Sequence, residues 1–203
     1  MYLRPALEEV AAVGHCLVRR ALTRTRTEEL LGELAAQPFS PLEPVIGTVH
    51  QRGEGMTVDV DDGNPPAAGK LVSELADEVR ASGIPGTSDY IPNEVTCQRY
   101  LDGASGIEPH MDQRRYRLLI AAFTLVGEAP FTVFEDRSAT TVVRAWMTRA
   151  GDLCLLRAPG LAGIPDGRPT HSVGGPSAGA RMSLTVRMNE RMNESVLQPP
   201  GEG

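Results

Sequence analysis

The stretch 117–134, RLLIAAFTLVGEAPFTVF, decides the fold class. Its two apolar runs, 117–126 and 131–134, are rich in β-branched and aromatic residues and are separated by a turn with glycine and proline, a pattern typical of paired strands. Similar short runs lie on both sides, at residues 95–101, 142–147, 153–156, 171–173 and 181–188. Clusters of glycine, proline and aspartate separate these runs, which predicts a β-sandwich or barrel.

The N-terminal part of the sequence carries helical patterns. Residues 15–22 are predicted to form a strand. Thr25 and Glu28 have the spacing of a capping box, which predicts a helix from there to about residue 37. Residues 45–60 are predicted to form strand and turn.

A second helix is predicted over residues 68–82, where apolar side chains recur at helical spacing up to Gly83. Helices followed by antiparallel strands predict an α+β fold that is mainly β. We expect a double-stranded β-helix (jelly roll) with the N-terminal helices packed on one face.

The domain organisation follows from these patterns. The length of 203 residues suits one domain with its own hydrophobic core. We therefore predict a single domain over 1–203, with N-terminal support at 1–92, a catalytic jelly-roll core at 93–189 and a flexible tail at 194–203. The sequence specifies no oligomeric state.

Composition and charge narrow the function classes. A net charge of −6 disfavours a protein whose main task is binding nucleic acid, although a local basic patch is compatible with an acidic average. The sequence has no apolar stretch long enough for a membrane span and no signal-peptide pattern, so a cytoplasmic location is expected. The odd number of cysteines, Cys16, Cys97 and Cys154, without CxxC spacing predicts buried reduced thiols.

His110 and Asp112 are the first candidate metal ligands. On an extended strand, residues i and i+2 project to the same face, so the imidazole and the carboxylate point together. The best placed third ligand is His171, on another predicted strand. Two histidines and one carboxylate form the facial triad of non-haem iron oxygenases, which leaves positions open for a chelating keto acid and for O2.

The strand after His171 supports this assignment. Residues 176–179 (PSAG) predict a turn, so we expect 171–173 and the strand at 181–188 to form a hairpin. On the returning strand four polar side chains share one face: Arg181, Ser183, Thr185 and Arg187. Arginine is rarely buried unpaired, so an anionic guest explains this face. Six residues of strand span about 20 Å, so the two arginines cannot clamp the same carboxylate.

Residues 93–189 resemble the AlkB-like branch of the Fe(II)/2-oxoglutarate-dependent dioxygenases. The matching segments are Gln98-Arg99-Tyr100 with Gly103, His110-Met111-Asp112, Gly151-Asp152-Leu153, His171 and the segment RMSLTVR at 181–187. The spacing of ten residues from His171 to Arg181 is also common in this superfamily.

The resemblance implies Fe(II), 2-oxoglutarate and O2 as cofactor and co-substrates. His110, Asp112 and His171 would bind the iron, and Arg181 with Tyr100 would hold the distal carboxylate of 2-oxoglutarate. The residues beside the rest of that molecule would be Gln98, Ser183 and Arg187. AlkB-type enzymes often carry asparagine at the positions of Ser183 and Gln98. The presence of Asp112 favours hydroxylation, demethylation or desaturation over halogenation.

The substrate is less constrained. A base-flipping enzyme needs aromatic and basic groups, yet residues 40–89 contain no aromatic residue and hold nine acidic residues against three basic ones. Arg114, Arg115 and Arg117 follow the metal ligands; if they face the pocket, they predict a small anionic substrate, and otherwise they form an ordinary surface loop. Two alternatives stay open: AlkB-like demethylation of nucleic acid, and a non-catalytic jelly-roll protein that binds a metal or another ligand.

Overall fold

The computed structural model describes residues 1–60 and 65–192; the predicted tail at 194–203 lies outside the described residues. The α-helices are α1 (Arg4–Val13), α2 (Arg24–Leu34) and α3 (Pro66–Arg80). The strands are β1 (His15–Val18), β2 (Ser40–Pro41), β3 (Val45–Ile46), β4 (Val49–Arg52), β5 (Glu54–Thr57), β6 (Glu94–Tyr100), β7 (Gly106–His110), β8 (Tyr116–Val126), β9 (Ala129–Phe134), β10 (Val142–Thr148), β11 (Leu153–Arg157), β12 (Thr170–Gly174) and β13 (Arg181–Asn189).

The strands form two antiparallel sheets. The larger sheet has the strand order β1-β11-β8-β13-β6-β5-β2, and the smaller sheet has the order β10-β9-β12-β7-β4-β3. The strands predicted from residue 95 onward are all present, and their ends differ from the prediction by at most two residues. The mainly β fold with two sheets confirms the predicted jelly roll.

The two faces of the larger sheet pack against different layers. On β8, Leu119 and Phe123 join the core shared with the helices, whereas Ile120 packs with Phe131 of the smaller sheet. This alternation is the period of two that a buried strand imposes. Helix α1 contacts β1 and β11, and α2 contacts β8, so the N-terminal helices lie on one face, as predicted. None of the helices in the described residues combines the length and apolar character needed to cross a bilayer.

The predicted hairpin around residues 176–179 is wrong. Strand β12 pairs with β7 and β9 in the smaller sheet, whereas β13 pairs with β6 and β8 in the larger one. The connection between them crosses from one sheet to the other and packs on the β8–β9 turn. There the Ser177 N–H donates to the Glu128 carbonyl at 2.9 Å. A turn motif specifies a reversal of direction but not the strand with which the chain then pairs.

The predicted capping box at Thr25 and Glu28 is also wrong. The cap of α2 is Thr23, whose side chain accepts a hydrogen bond from the Arg26 N–H at 3.3 Å. The sequence Thr23-Arg24-Thr25-Arg26 offers two threonines, and an N-cap accepts from the residue two or three positions later. Local spacing alone therefore leaves the helix start ambiguous by two residues.

Further differences concern one strand that is shorter than predicted and two elements that were not predicted. The strand predicted over 15–22 ends at Val18, because Arg20 has a φ of 53° in the left-handed region and breaks the extended run. The sequence patterns did not predict helix α1, which has a proline in its first turn, or strand β7. The cysteine prediction is confirmed, since Cys16, Cys97 and Cys154 are buried free thiols.

Strand β7 is fixed against β12 by a close approach of the two backbones. Gly106 has a φ of 84°, and a Cβ atom at this position would lie 2.1 Å from the carbonyl oxygen of Val173. Only glycine fits there without moving the strands apart. The pairing continues to the end of β7, where His110 lies opposite His171. The pairing of these two strands thus brings together two residues that are distant in sequence.

Candidate metal centre

Three possible metal ligands meet where β7 and β12 lie side by side. One ligand atom from each of His110, Asp112 and His171 lies within 4.8 Å of the others. The His171 Nε2 atom is 3.5 Å from the Asp112 Oδ2 atom, and the two imidazole centroids are 4.4 Å apart. The structure therefore assembles the three residues that the sequence predicted, with the donor set of a facial triad.

Backbone contacts orient both imidazoles. The His110 Nδ1 atom lies 2.8 Å from the Glu108 carbonyl oxygen, and the His171 Nδ1 atom lies 3.3 Å from that of Pro169. Because a carbonyl only accepts, each Nδ1 carries the proton and each Nε2 keeps a lone pair for a metal. The ring of Phe131 stacks on His171 at 5.3 Å and holds its plane. Burial lowers the pKa of His171 to about 4, so the ring is neutral at neutral pH, as a ligand must be.

Asp112 lies in a positive environment. Burial alone would raise the pKa of this carboxyl, but the positive charges around it lower it below its ordinary value; they come from His171 when protonated and from the guanidinium groups of Arg187 and Arg168. Arg168 also donates a hydrogen bond to the backbone carbonyl of Asp112. The carboxylate is therefore ionised and its backbone is held in place.

The sequence did not reveal Arg168, because nothing local distinguishes it from a surface arginine in a loop. Its side chain is buried and forms an ion pair with Asp166, with the Nε atom 2.8 Å from Oδ1. The hydrogen bond to Arg168 lowers the pKa of Asp166 to about 2. Asp166 thus aligns the guanidinium that holds the Asp112 loop.

Replacing Asp166 by asparagine is expected to lower the free energy of unfolding by about 1 kcal/mol at pH 7. The pKa of Asp166 lies at about 2 in the folded protein, below its ordinary value of 3.8. The stabilisation is therefore present above pH 3.8 and is lost as the pH falls from 3.8 to 2. Denaturant unfolding of both proteins at pH 7 and pH 3 checks this; a difference that does not shrink at pH 3 would contradict it.

Arg181 lines a cavity together with the three possible metal ligands, and it has no anionic partner among the described residues. It is 3% exposed, and its guanidinium donates to the Ser183 hydroxyl at 3.2 Å and, at 3.4 Å, to that of Thr124. Its Nε atom is buried without a hydrogen bond, and no carboxylate of residues 1–60 or 65–192 pairs with this arginine. Burial accordingly lowers the pKa of Arg181. A buried guanidinium in this state can bind a carboxylate, because the carboxylate would supply the missing counter-charge.

Tyr100 faces the same end of the cavity. It lies directly opposite Arg181 in the β6–β13 register and is 1% exposed. A Cβ atom on Gly53 would lie 2.7 Å from the Tyr100 ring, so glycine at this position on the neighbouring chain segment lets the ring pack there. The phenol and the guanidinium together offer hydrogen-bond donors to an anion.

Arg187 lies at the metal end of the cavity. Its NH1 group donates to the Thr96 hydroxyl at 2.8 Å and lies 3.5 Å from Glu94, and its Nε atom is 4.0 Å from Asp112 Oδ1. The guanidinium also lies 5.0 Å from the centre of the Tyr116 ring. The two arginines therefore occupy opposite ends of β13, as their spacing predicted.

The sequence matches no protein-family model, and no curated protein matches it. Solved structures do match. A Pseudomonas putida prolyl-4-hydroxylase superposes with a TM-score of 0.63 at 16% identity, covering 93% of this chain and 99% of that one. A Burkholderia pseudomallei oxidoreductase of the 2OG-Fe(II) oxygenase family gives 0.59 at 17% identity, covering 91% and 89%. OsALKBH1 gives 0.59 at 12% identity, covering 86% and 98%.

The chain has the fold of the Fe(II)/2-oxoglutarate oxygenases. Because a prolyl hydroxylase and OsALKBH1 both superpose on this chain, the predicted fold is confirmed, whereas the assignment to the AlkB-like branch stays a prediction.

Within this oxygenase fold, one cavity of about 650 Å³ joins the metal ligands to Arg181. Its lining includes the residues predicted for iron and 2-oxoglutarate: Gln98, Tyr100, His110, Asp112, His171, Arg181, Ser183 and Arg187. Thr96 also lines it and was missed, although it shares a face of β6 with Gln98 and Tyr100 and the period of two could have identified it.

The three arginines predicted to touch the substrate are not part of this lining. Arg114 forms a 3.5 Å ion pair with Asp166 and is largely exposed. Arg115 donates to the Tyr116 hydroxyl at 3.2 Å, and Arg117 pairs with Glu190 at 3.0 Å. The structure thus brings Arg181 and Arg187 to the metal ligands but leaves these three outside the cavity.

Proposed function

We propose that this protein is an Fe(II)- and 2-oxoglutarate-dependent oxygenase that oxidises a C–H bond of a small organic molecule. One observation carries the proposal. A His-Asp-His cluster and a buried guanidinium that has no carboxylate partner among the described residues line the same cavity. The donor set fits Fe(II), and the unpartnered guanidinium fits a carboxylate.

In this proposal His110, Asp112 and His171 hold Fe(II). Arg181 and Tyr100 donate hydrogen bonds to the distal carboxylate of 2-oxoglutarate, and the keto-acid end of the molecule faces the metal. Ser183 and Thr124 keep the Arg181 guanidinium in position. Gln98 and Arg187 lie along the rest of the co-substrate.

Bound Fe(II) supplies the activation of O2 that side chains cannot supply. In the overall reaction, 2-oxoglutarate loses CO2 and becomes succinate. One atom of O2 enters succinate, and the other converts the substrate C–H bond into C–OH. The chain's own residues position both molecules and exclude water, and they keep the Asp112 carboxylate ionised.

The charge of the substrate needs separate support. The prediction of an anionic substrate depended on Arg114, Arg115 and Arg117, and none of these lines the cavity. The alternative of a nucleic-acid substrate is not supported by the segment 40–57, which contributes no aromatic side chain to the lining. We therefore propose a small molecule and do not base its charge on those arginines.

Succinate formation tests the proposal. Protein prepared without oxygen, given Fe(II) and 2-oxoglutarate and then exposed to O2, is expected to form succinate and consume equal amounts of 2-oxoglutarate, slowly without substrate. Omitting Fe(II), or adding a chelator, should abolish the reaction. Binding of Fe(II) and 2-oxoglutarate without succinate under any condition would favour the alternative of a non-catalytic binding protein.

A further inference from the structure

We infer that the part of the substrate that enters the cavity is uncharged, with an aliphatic side and a hydrogen-bonding side. The inference deepens the proposed function and rests on it, because Arg181 is assigned there to 2-oxoglutarate. It is carried by two opposed walls at the cavity mouth and by the pairing of the charged groups in the lining.

The charged and ionisable side chains that line the cavity are already engaged. Within the described residues the acids, histidines and arginines among them are Glu94, His110, Asp112, His171, Arg181 and Arg187. Three of them form the metal site, and Arg181 serves the co-substrate. The remaining acid, Glu94, lies 3.5 Å from Arg187, which the proposed function places along the co-substrate. Burial raises the pKa of the other ionisable groups, Cys97, Tyr100 and Tyr116, which are therefore neutral at pH 7.

The Glu94 carboxylate also has two uncharged hydrogen-bond donors beside it. It accepts hydrogen bonds from the Tyr116 hydroxyl at 2.8 Å and from the Asn189 side-chain amide at 2.7 Å. Each charge in the described lining therefore has a counter-charge or an assigned ligand: the Arg187 guanidinium, whose buried Nε atom makes no hydrogen bond, still faces the carboxylates of Glu94 and Asp112. A charged group moved from water into this space would lose hydration without gaining a partner.

One side of the mouth is an aliphatic wall, formed by Ile46, Val49 and Ile107 of the smaller sheet. Ile46 pairs directly with Val49, and Ile107 pairs with Gln51, two residues further along β4, so these side chains share one face. The Gln51 amide lies on the same face but is buried and donates one of its N–H groups to the Glu43 carbonyl at 2.8 Å.

The aliphatic wall is partly open. Ile46 is 51% exposed although its side chain borders the cavity. Leu42 also lines the cavity but lies on the opposite side, against Gly55 of β5 in the larger sheet. Covering this exposed apolar surface with the aliphatic part of a ligand makes the free energy of binding more favourable.

The opposite side is a hydroxyl wall on the larger sheet, formed by Thr57, Thr96 and Thr185 in one cross-strand row. Ser40 adds a hydroxyl at the mouth. These groups donate and accept hydrogen bonds but carry no charge. An amide or an alcohol satisfies them, whereas a carboxylate would have to compete with Glu94 and Asp112 for the nearby cation, Arg187, which donates to the Thr96 hydroxyl.

Matched pairs of amides and carboxylates test the inference by binding alone. Saturation-transfer NMR on the purified protein with 2-oxoglutarate would compare butanamide, hexanamide and octanamide with butanoate, hexanoate and octanoate. At least one amide is expected to bind at least about tenfold more tightly than its carboxylate. Equal affinity, tighter binding of the carboxylates, or no binding of any amide would overturn the inference.

Two variants of strand β3 add a matched control. Ile46→Lys places a cation in the aliphatic wall and is expected to reverse the preference toward the carboxylates. Val45→Lys makes the same change in charge on the adjacent residue, which is also exposed but does not line the cavity, and should leave the preference as it is. If both variants change the preference between amides and carboxylates in the same way, or if Ile46→Lys does not reverse it, Ile46 is not part of a wall that contacts the ligand.

Arg137 provides the test of an anionic substrate. It lies outside the lining, where its Nε–H group contacts the Met111 sulfur at 3.0 Å. If the carboxylates bind more tightly and Arg137→Gln abolishes that, the substrate is anionic and the inference fails. The preference for amides is measured by binding and does not depend on turnover. If amides bind more tightly but no succinate forms, the proposed function fails, whereas the inference that the walls are uncharged is retained.

Discussion

Arg181→Met is expected to weaken 2-oxoglutarate binding by about 100-fold. A hydrogen bond to a charged group contributes about 1.5–3 kcal/mol, and about 1.4 kcal/mol corresponds to a factor of ten in affinity. The loss of a two-pronged contact to a carboxylate therefore reaches about two orders of magnitude. Calorimetric titration of 2-oxoglutarate into the oxygen-free, Fe(II)-loaded protein measures it.

The same substitution should not destabilise the protein without its ligand. Arg181 is buried with two hydroxyl partners, no carboxylate and an unpartnered Nε atom, so its charge is desolvated without full compensation. Methionine fills similar space without that cost. The thermal unfolding midpoint of the ligand-free variant is expected to equal or exceed that of the wild type.

Arg157 offers a control with the opposite pattern. Its guanidinium donates to the backbone carbonyls of Gly167 at 2.9 Å and Ala11 at 3.1 Å, so it connects the loop at Gly167 to helix α1. Arg157→Met should lower the unfolding midpoint and leave 2-oxoglutarate affinity unchanged. If Arg181→Met instead destabilises the ligand-free protein and binds 2-oxoglutarate normally, Arg181 is a structural residue and not the anion site.

His110→Ala is expected to weaken Fe(II) binding by at least about 100-fold and to reduce succinate formation to background. Substitutions that only disturb the groups around a metal's ligands cost 10–100-fold in affinity, so removal of a ligand itself should cost more. His110 is half-buried at the end of β7, so the fold should tolerate the change. Metal titration under anaerobic conditions provides the measurement.

His50→Ala is the matched control for that variant. It removes one of the four histidines of the chain, on the neighbouring strand β4, and its side chain is 65% exposed. His50 pairs with Glu108 and lies outside the His-Asp-His cluster. Equal loss of Fe(II) affinity in His50→Ala and His110→Ala would show that the metal binds elsewhere.

The sequence by itself determined the features that depend on neighbouring residues. The strands of the C-terminal half follow from apolar runs broken by glycine and proline. The shared face of Arg181 and Arg187 follows from the period of two. These features are local because backbone geometry relates residues i and i+2 whatever the rest of the chain does. The period of two does not explain how His110 and Asp112 meet, because Asp112 lies beyond the end of β7.

Only the tertiary structure decided which strands pair. The β7–β12 register places His110 opposite His171, and the crossing between sheets replaced the predicted hairpin. The tertiary packing also leaves Arg114 and Arg117 in ion pairs outside the cavity and brings Arg168 to Asp112. The partner of a strand and the environment of a charge depend on packing over the whole chain, because many registers satisfy the same local pattern and only the assembled core selects one.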